Sequence, residues 1–157
     1  MTARLFLDTN ILIYALDPAN PEKRKVSADL LTMAISSRIL ILSPQSLNEG
    51  YRVLSERRKL MPVAAVRSYL GALAPWCIAP LDAETTKRAW TVQDETKYSW
   101  WDSLMLAAAL RAKCRIFVSE DLADGHELEG MRISNPFTDQ FAAGLAKGPS
   151  KALSKKT

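Results

Sequence analysis

Short apolar runs alternate with segments of helical periodicity along this chain, and that alternation constrains the fold more than any other feature of the sequence. The apolar runs predict five buried strands, at residues 4–7, 39–42, 76–78, 115–118 and 131–133. Strands separated by helices usually pair in parallel, because the intervening helix carries the chain back to the starting edge of the sheet. The sequence therefore predicts an α/β protein in which helices cover both faces of a parallel sheet.

Helical periodicity fills the segments between these strands. The predicted helices cover residues 10–16, 21–36, 44–54, 62–73, 83–96 and 100–113. Three of them follow a residue that can cap the first helical turn, namely Ser43, Asp82 and Ser99. In the helix after Ser43, the residues Leu47, Tyr51 and Leu54 recur at helical spacing and form a predicted apolar stripe.

Length and composition are those of a globular protein. A chain of 157 residues with 48% hydrophobic and 24% charged residues suggests one domain with a sizeable core. No apolar stretch approaches the roughly 20 residues that a membrane helix needs, and the apolar start lacks a signal-peptide layout. We therefore expect a cytoplasmic protein without a membrane segment. Cys77 and Cys114 have no CxxC spacing and are predicted to be reduced core thiols.

The net charge of +4 does not by itself predict nucleic-acid binding. Four basic residues lie in an acid-free tail, and the remaining 17 basic residues equal the 17 acidic ones. We expect a folded domain over residues 1–146 and a basic, disordered tail over 147–157. Two basic clusters, 23–25 and 57–59, are of the kind that usually forms solvated helix faces, although either can also contact RNA phosphates.

Four acidic residues stand where this pattern brings side chains to one edge of the sheet. Asp8 and Asp121 follow predicted strands, whereas Glu49 and Asp102 lie near the starts of predicted helices. In open α/β sheets ligands bind outside the carboxyl ends of the strands, and the helices that follow those strands begin at the same edge. We therefore expect the four carboxylates to converge.

A pocket of four carboxylates is costly unless the acids are protonated or a hard cation neutralises them. Oxygen ligands suit Mg²⁺ or Mn²⁺, and a chain with one histidine and no clustered thiols does not suit Zn²⁺. A metal ion in such a pocket polarises a phosphoryl oxygen and lowers the pKa of a bound water, which is the chemistry of phosphodiester hydrolysis.

Each acid also has a purely structural interpretation. Asp8 can cap the first helix, Glu49 can be a solvated helix residue, Asp102 suits a first helical turn, and Asp121 can belong to a turn. Their joint placement favours the functional interpretation. Of Trp100 and Trp101, at least one is expected in the core, and an exposed one can stack on an RNA base.

Five short motifs make the chain resemble a known family. They are Leu7-Asp8-Thr9-Asn10, Leu47-Asn48-Glu49, Trp101-Asp102-Ser103, Val118-Ser119-Glu120-Asp121-Leu122 and Asn135-Pro136-Phe137. Their order and spacing are similar to those of PIN-domain nucleases, and in detail to the VapC toxins of bacterial toxin–antitoxin pairs. The resemblance covers roughly residues 4–138.

The resemblance implies a three-layer αβα domain with a central parallel five-stranded sheet and Mg²⁺- or Mn²⁺-dependent cleavage of RNA. The family acids carry over onto Asp8, Glu49, Asp102 and Asp121, with Asp8 and Asp102 as direct metal ligands. Glu49 and Asp121 bind the metal directly, act through water or position the attacking water. Thr9 and Ser119 are implied to support the site or contact substrate, and Asn10 either caps the helix or supports the site. A cognate antitoxin and a homodimer are the implied protein partners.

Two other function classes stay open on the sequence. One is a non-catalytic RNA- or protein-binding module on the same fold. The other is a phosphatase or phosphoacceptor domain, but Asn10 stands where such a phosphatase has a second aspartate, and no lysine follows Ile133 as a receiver domain requires. The sequence also leaves open which RNA is cut, how many metal ions act, and whether the role is that of a toxin or of a maturation nuclease.

Overall fold

A computed structural model describes residues 3–141 of the chain, and the predicted tail at 147–157 lies outside these residues. The helices are α1 (Thr9–Tyr14), α2 (Pro21–Ser36), α3 (Pro44–Tyr51), α4 (Val63–Leu73), α5 (Ala83–Thr96) and α6 (Trp100–Arg111). The strands are β1 (Arg4–Leu7), β2 (Leu40–Ile41), β3 (Cys114–Val118), β4 (Glu127–Leu128) and β5 (Met131–Ser134). Among the described residues no helix is long and apolar enough to cross a membrane.

Within residues 3–141 the strands form one five-stranded sheet in the order β2-β1-β3-β5-β4. β1 pairs with β3 and β3 with β5 in parallel, whereas β4 pairs with β5 in antiparallel orientation. The predicted α/β class is therefore confirmed, with a sheet that is mostly parallel. Leu7 and Val118 are register partners, so the last residues of β1 and β3 lie side by side.

The predicted strand at residues 76–78 is wrong. Ala74–Trp76 is a 3₁₀ turn, and Ile78 is 57% exposed, so this apolar run is not a buried strand. Its link to residue Leu42 is limited to two hydrogen bonds, from Leu42 N–H to the Trp76 carbonyl at 2.9 Å and from Ala79 N–H to the Leu42 carbonyl at 3.0 Å. One residue of pairing is too little to extend the sheet.

The fifth strand is instead β4, a two-residue strand that the sequence did not reveal. A two-residue turn joins it to β5, with φ of 50° at Glu129 and 85° at Gly130. Positive φ at both turn positions is the geometry that matches the twist of an antiparallel hairpin. Glycine adopts it without strain, which explains why Gly130 stands there.

Leucine and isoleucine side chains make up most of the core, together with two phenylalanine rings and several alanines. Phe6 of β1 and Phe117 of β3 are buried and stack with ring centroids 5.1 Å apart. Ala107, Ala108 and Ala109 in α6 are fully buried, and such small side chains let helices approach closely. Cys114 is buried and Cys77 is half-buried, and both are free thiols. Burial raises the pKa of Cys77 to about 11 and that of Cys114 to about 12, so both remain protonated.

The α3 stripe differs from the prediction. α3 buries Gln45, Ser46 and Gly50, while Leu47 and Tyr51 are only half-buried. Leu54 is the member of the predicted stripe that is fully buried. After Tyr51 the helix continues as π-helical turns over Arg52–Arg57, and the wider turn changes which side chains face inward.

The chain divides into two compact units. One comprises the residues up to Leu40 together with those from Cys114 onward, and it holds Asp8 and Asp121. The other comprises Ile41–Lys113 and holds Glu49 and Asp102. Each unit thus carries two of the four predicted site acids.

Candidate functional site

Asp8 lies directly after β1 and is the N-cap of α1. Its side chain is held at both oxygens: Oδ1 accepts the Thr9 N–H at 2.7 Å and Oδ2 accepts the Ser119 hydroxyl at 2.8 Å. Asp8 is 8% exposed, and Thr9 and Ser119 are more deeply buried. A buried carboxylate that is oriented by two donors still has lone pairs for a further partner. The capping role and a ligand role are therefore compatible.

Ser119 also links Asp8 to Asp121. The Asp121 N–H donates to Ser119 Oγ at 3.2 Å, so the same hydroxyl contacts both predicted site acids. The Asn10 side-chain amide donates to Asp121 Oδ2 at 2.6 Å. Asp121 itself is exposed. The three residues predicted to support the site, Thr9, Asn10 and Ser119, thus each contact at least one of its two acids in this unit.

Glu120 belongs to a different cluster from its neighbour Asp121. Lys23 Nζ lies 2.8 Å from Glu120 Oε2, and the Tyr14 hydroxyl donates to Glu120 Oε1. Lys23 also lies over the rings of Tyr14 and Phe137, at 4.9 Å and 5.1 Å from their centroids. Partial burial raises the pKa of Glu120, but the hydrogen bonds from Lys23 and Tyr14 outweigh it, so the net pKa is lowered.

In the second unit Gln45 connects Glu49 to the start of α6. Its Nε2 donates to Glu49 Oε1 at 2.8 Å and to the Trp101 carbonyl at 2.9 Å. Because both partners are acceptors, they fix which end of the Gln45 amide is the nitrogen. Gln45 is 5% exposed. It therefore sets the position of Glu49 relative to the residue that precedes Asp102.

Asp102 lies in the first turn of α6, where the helix dipole favours an anion. Ser99 is the N-cap, as predicted: its Oγ accepts the Asp102 N–H at 3.2 Å and its hydroxyl donates to Asp102 Oδ2 at 2.9 Å. The neighbouring Trp101 is 61% exposed, whereas Trp100 is half-buried. The exposed indole is therefore beside a predicted site acid.

The structure thus brings the predicted acids together as two pairs, one in each unit. Ser119 bridges Asp8 and Asp121, and Gln45 with Trp101 links Glu49 to Asp102. Within residues 3–141 no three acidic, histidine or cysteine side chains form a ready-made metal cluster. The convergence of all four acids therefore stays a prediction.

The donor chemistry of both pairs fits a hard cation. All four groups are carboxylates, and each has one oxygen held by a neighbouring side-chain donor: Ser119, Asn10, Gln45 or Ser99. Among the described residues the second oxygens of Asp102 and Asp121 accept no hydrogen bond. Oriented carboxylates of this kind are suitable ligands for Mg²⁺ or Mn²⁺.

Sequence reasoning missed Gln45 and the Tyr14–Lys23–Glu120 cluster. Gln45 precedes Glu49 by four residues, and residues at that spacing are neighbours on a helix, so this contact had a detectable signal. The contact from Lys23 to Glu120 spans 97 residues of sequence, and nothing local indicates it.

Comparisons with known proteins identify the family and the fold. The model of the PIN domain family matches residues 5–123, more than half of the chain. No curated protein matches the chain. Among solved structures, the chain is similar to the crystal structure of VapBC2 from Rickettsia felis bound to a DNA fragment from their promoter. The TM-score is 0.58 at 16% identity, over 83% of this chain and 97% of that chain, a likeness that concerns the fold alone.

Proposed function

The chain belongs to the PIN domain family, and we propose that it is an endoribonuclease that hydrolyses RNA phosphodiester bonds with Mg²⁺ or Mn²⁺. We further propose that it acts in the cytoplasm as the toxin of a toxin–antitoxin pair. Support for the metal comes from carboxylates that neighbouring donors hold in place. Support for the pair comes from the similar structure of VapBC2, which is bound to a DNA fragment from their promoter.

The geometry of Asp8 carries the proposal. Its carboxylate is nearly buried at the end of β1 and is oriented by Thr9 and Ser119. Hydrogen bonds from neighbouring donors fix the direction in which a carboxylate presents its remaining lone pairs. Capping α1 requires only one oxygen of Asp8, so it does not explain why the buried Ser119 hydroxyl donates to the other oxygen. The arrangement is better explained by a carboxylate that is positioned to bind a cation.

Each residue of the site then has a role. Asp8 and Asp102 hold the ion, and Glu49 and Asp121 bind it or orient the attacking water. Ser119, Asn10, Gln45 and Ser99 keep these carboxylates in place through the hydrogen bonds described above. The metal ion, when bound, supplies an activated water and neutralises charge on the phosphoryl group. The exposed Trp101 offers a ring on which an RNA base can stack.

The partners follow from the same proposal. A cognate antitoxin would bind this chain and block cleavage, and we also propose a homodimer. Light scattering of the purified protein measures the mass of the particle directly. Co-expression with a candidate antitoxin tests whether a stable, inactive complex forms.

The test of the nuclease is cleavage of total cellular RNA by purified protein with Mg²⁺, with Mn²⁺ and with chelator. Discrete metal-dependent fragments are expected from the wild-type protein and are expected to disappear in Asp8→Asn and Asp102→Asn. Asp94→Asn removes an exposed acid on α5 and is the matched control. Cleavage that persists in both site variants would exclude these acids as metal ligands.

The alternative is a non-catalytic RNA- or protein-binding module. The four retained carboxylates, each with its own donor, argue for an active site and against that alternative. Binding of Mn²⁺ without hydrolysis of any RNA, across many substrates, would favour the alternative.

A further inference from the structure

A cationic surface follows Glu49 along the chain, and the proposed nuclease site does not account for it. Residues 50–73 contain five basic residues and one acidic residue. All five are exposed, and we define the α3–α4 cationic surface by four of them, Arg52, Arg57, Lys59 and Arg67. Arg52 lies three residues after Glu49 on a continuous helical run, so the two are neighbours one turn apart. The surface therefore begins beside a proposed metal ligand.

The charges of this surface are not neutralised by the part of the chain that the structure describes. Arg52, Arg57 and Lys59 form no ion pair within residues 3–141, although Glu56 lies between them in sequence. Some other exposed basic side chains do pair: Lys25 with Asp29, Lys87 with Glu84, and Arg111 with Asp82. Because Glu56 is the one acid beside five basic residues in 50–73, this segment carries a formal net charge of +4.

Arg67 is held in place by an aromatic side chain and not by an acid. Its guanidinium lies 6.0 Å from the centroid of the Tyr51 ring, and its Nη2 is 3.3 Å from the Tyr51 hydroxyl. A ring contact orients the planar guanidinium without cancelling its charge. Arg67 is thereby preorganised to donate to an anion.

The backbone of this segment is also unusual. Arg52–Arg57 forms π-helical turns, in which the Arg58 N–H donates to the Val53 carbonyl at 2.9 Å. Lys59 follows with φ of 49°, a left-handed conformation that costs about 1–2 kcal/mol for a residue with a Cβ. π-Helical turns and strained residues occur frequently at functional sites. This geometry presents Arg57 and Lys59 at the end of the helix that carries Glu49.

We propose that the α3–α4 cationic surface binds the phosphate backbone of single-stranded RNA and guides it to Glu49 in the last turn of α3. The inference rests on the proposed function and adds the surface that holds the substrate. RNA is the favoured occupant because Glu49, a proposed ligand of the metal ion that hydrolyses phosphodiesters, lies one turn from Arg52. A polyanion that contacts Arg52 therefore brings its phosphates close to Glu49. An acidic protein segment would complement the positive charge of the surface, but it contains no phosphodiester bond for the proposed nuclease site to hydrolyse.

The experiment measures binding of a fluorescein-labelled single-stranded RNA of mixed sequence over a range of KCl concentrations, with chelator present to prevent cleavage. For Arg57→Gln/Lys59→Gln we expect weaker binding, and a salt slope smaller by about 1.4, since each lost phosphate contact removes about 0.7. Lys87→Gln/Arg88→Gln on α5 removes one lysine and one arginine from another exposed helix and should leave the slope unchanged.

Variants of Arg67 and Tyr51 test separately whether their contact contributes to RNA binding. Arg67→Gln should weaken RNA binding more than Arg67→Lys, because lysine keeps the charge but loses the planar group that Tyr51 orients. Tyr51→Leu should have an intermediate effect. Thermal melts of each variant confirm that it is folded.

Cleavage kinetics distinguish an effect on RNA binding from an effect on the hydrolysis step. With Mn²⁺ present, Arg57→Gln/Lys59→Gln should raise KM several-fold while kcat at saturating RNA stays within about twofold, because the acids are intact. Unchanged KM and salt slope in a variant that still cuts RNA would overturn the inference but not the nuclease. RNA binding that depends on this surface, in a protein that cuts no RNA, would support the inference and refute the nuclease. Preferential binding of a poly-glutamate peptide over RNA would also overturn the inference, in favour of a protein partner.

Discussion

Gln45 illustrates how a residue outside the acid set can control an acid. Both hydrogens of its buried amide are used, one by Glu49 and one by the Trp101 carbonyl. Removing the Gln45 amide leaves the Trp101 carbonyl without this donor and lets the Glu49 side chain rotate. Neighbouring hydrogen-bond partners of metal ligands typically contribute about 10–100-fold to metal affinity or activity.

We therefore expect Gln45→Met to reduce Mn²⁺ affinity and RNA cleavage by about 10–100-fold. Titration of Mn²⁺ and cleavage rates at saturating RNA measure the two effects separately. Gln93→Met is the matched control, because the Gln93 amide donates to the Tyr98 carbonyl and contacts none of the proposed acids. Equal losses in both variants would mean that Gln45 acts through general stability.

Glu120 is a carboxylate with a structural partner, in contrast to its neighbour Asp121. Because its folded-state pKa is lower than usual, its stabilising effect is present above the usual carboxyl pKa and is lost as the pH falls through the lowered value. Lys23 is partly exposed, so the ion pair with Glu120 contributes about 0.5–1 kcal/mol.

Glu120→Gln should therefore be less stable than the wild type at pH 7, and the difference should shrink as the pH falls below the usual carboxyl pKa. Urea unfolding at several pH values gives both free energies of unfolding. Glu84→Gln breaks an exposed pair with Lys87 and should show almost no difference at any pH. A difference for Glu120→Gln that is independent of pH would refute the ion-pair explanation.

At the scale of elements, two helix caps differ in what they control. Ser99 caps α6 and also contacts the Asp102 carboxylate, whereas Asp82 caps α5 through the Thr85 N–H and contacts Arg111. Both caps stabilise a helix, but only the α6 cap includes a proposed metal ligand.

Ser99→Ala and Asp82→Ala should each cost about 1 kcal/mol of stability, because each removes a cap. Ser99→Ala should also slow RNA cleavage at temperatures where the protein stays folded, whereas Asp82→Ala should not. Ser99→Thr keeps the hydroxyl and should retain both stability and activity. Urea unfolding and cleavage rates on the same preparations check the expectation, and equal activity of the two alanine variants would contradict it.

At the scale of the whole molecule, the proposed function predicts that acids from both compact units bind one ion. Asp8 belongs to one unit and Asp102 to the other. A ligand that binds only the folded state stabilises it by about 2.7 kcal/mol at 100 times its Kd. For a chain of this size that corresponds to a rise in Tm of roughly 5–10 °C.

We expect Mn²⁺ to raise the Tm of the wild-type protein and of Asp94→Asn, and to have little effect on Asp8→Asn or Asp102→Asn. The double variant Asp8→Asn/Asp102→Asn should lose no more of the Mn²⁺-induced shift than either single variant, because ligands of one ion act as a unit. Differential scanning fluorimetry measures all the shifts. Partial losses that add in the double variant would indicate two independent ions.

Local signals in the sequence determined most elements of this protein. Apolar runs and helix caps predicted β1, β3, β5 and the helices after Ser43, Asp82 and Ser99, because burial periodicity and capping depend on neighbouring residues. The same local logic placed Asp8 at the end of β1 and Asp102 in the first turn of α6.

Tertiary structure decided what depends on partners distant in sequence. The run at residues 76–78 is not a strand, because strand formation requires a partner over several residues and Leu42 alone pairs with it. β4 exists because β5 pairs with it across a turn of positive φ. Ser119 contacts Asp8 over 111 residues of sequence, and Gln45 contacts the Trp101 carbonyl over 56. The sequence alone determined which carboxylates the chain offers; which side chains hold them in position depended on long-range packing that no local pattern encodes.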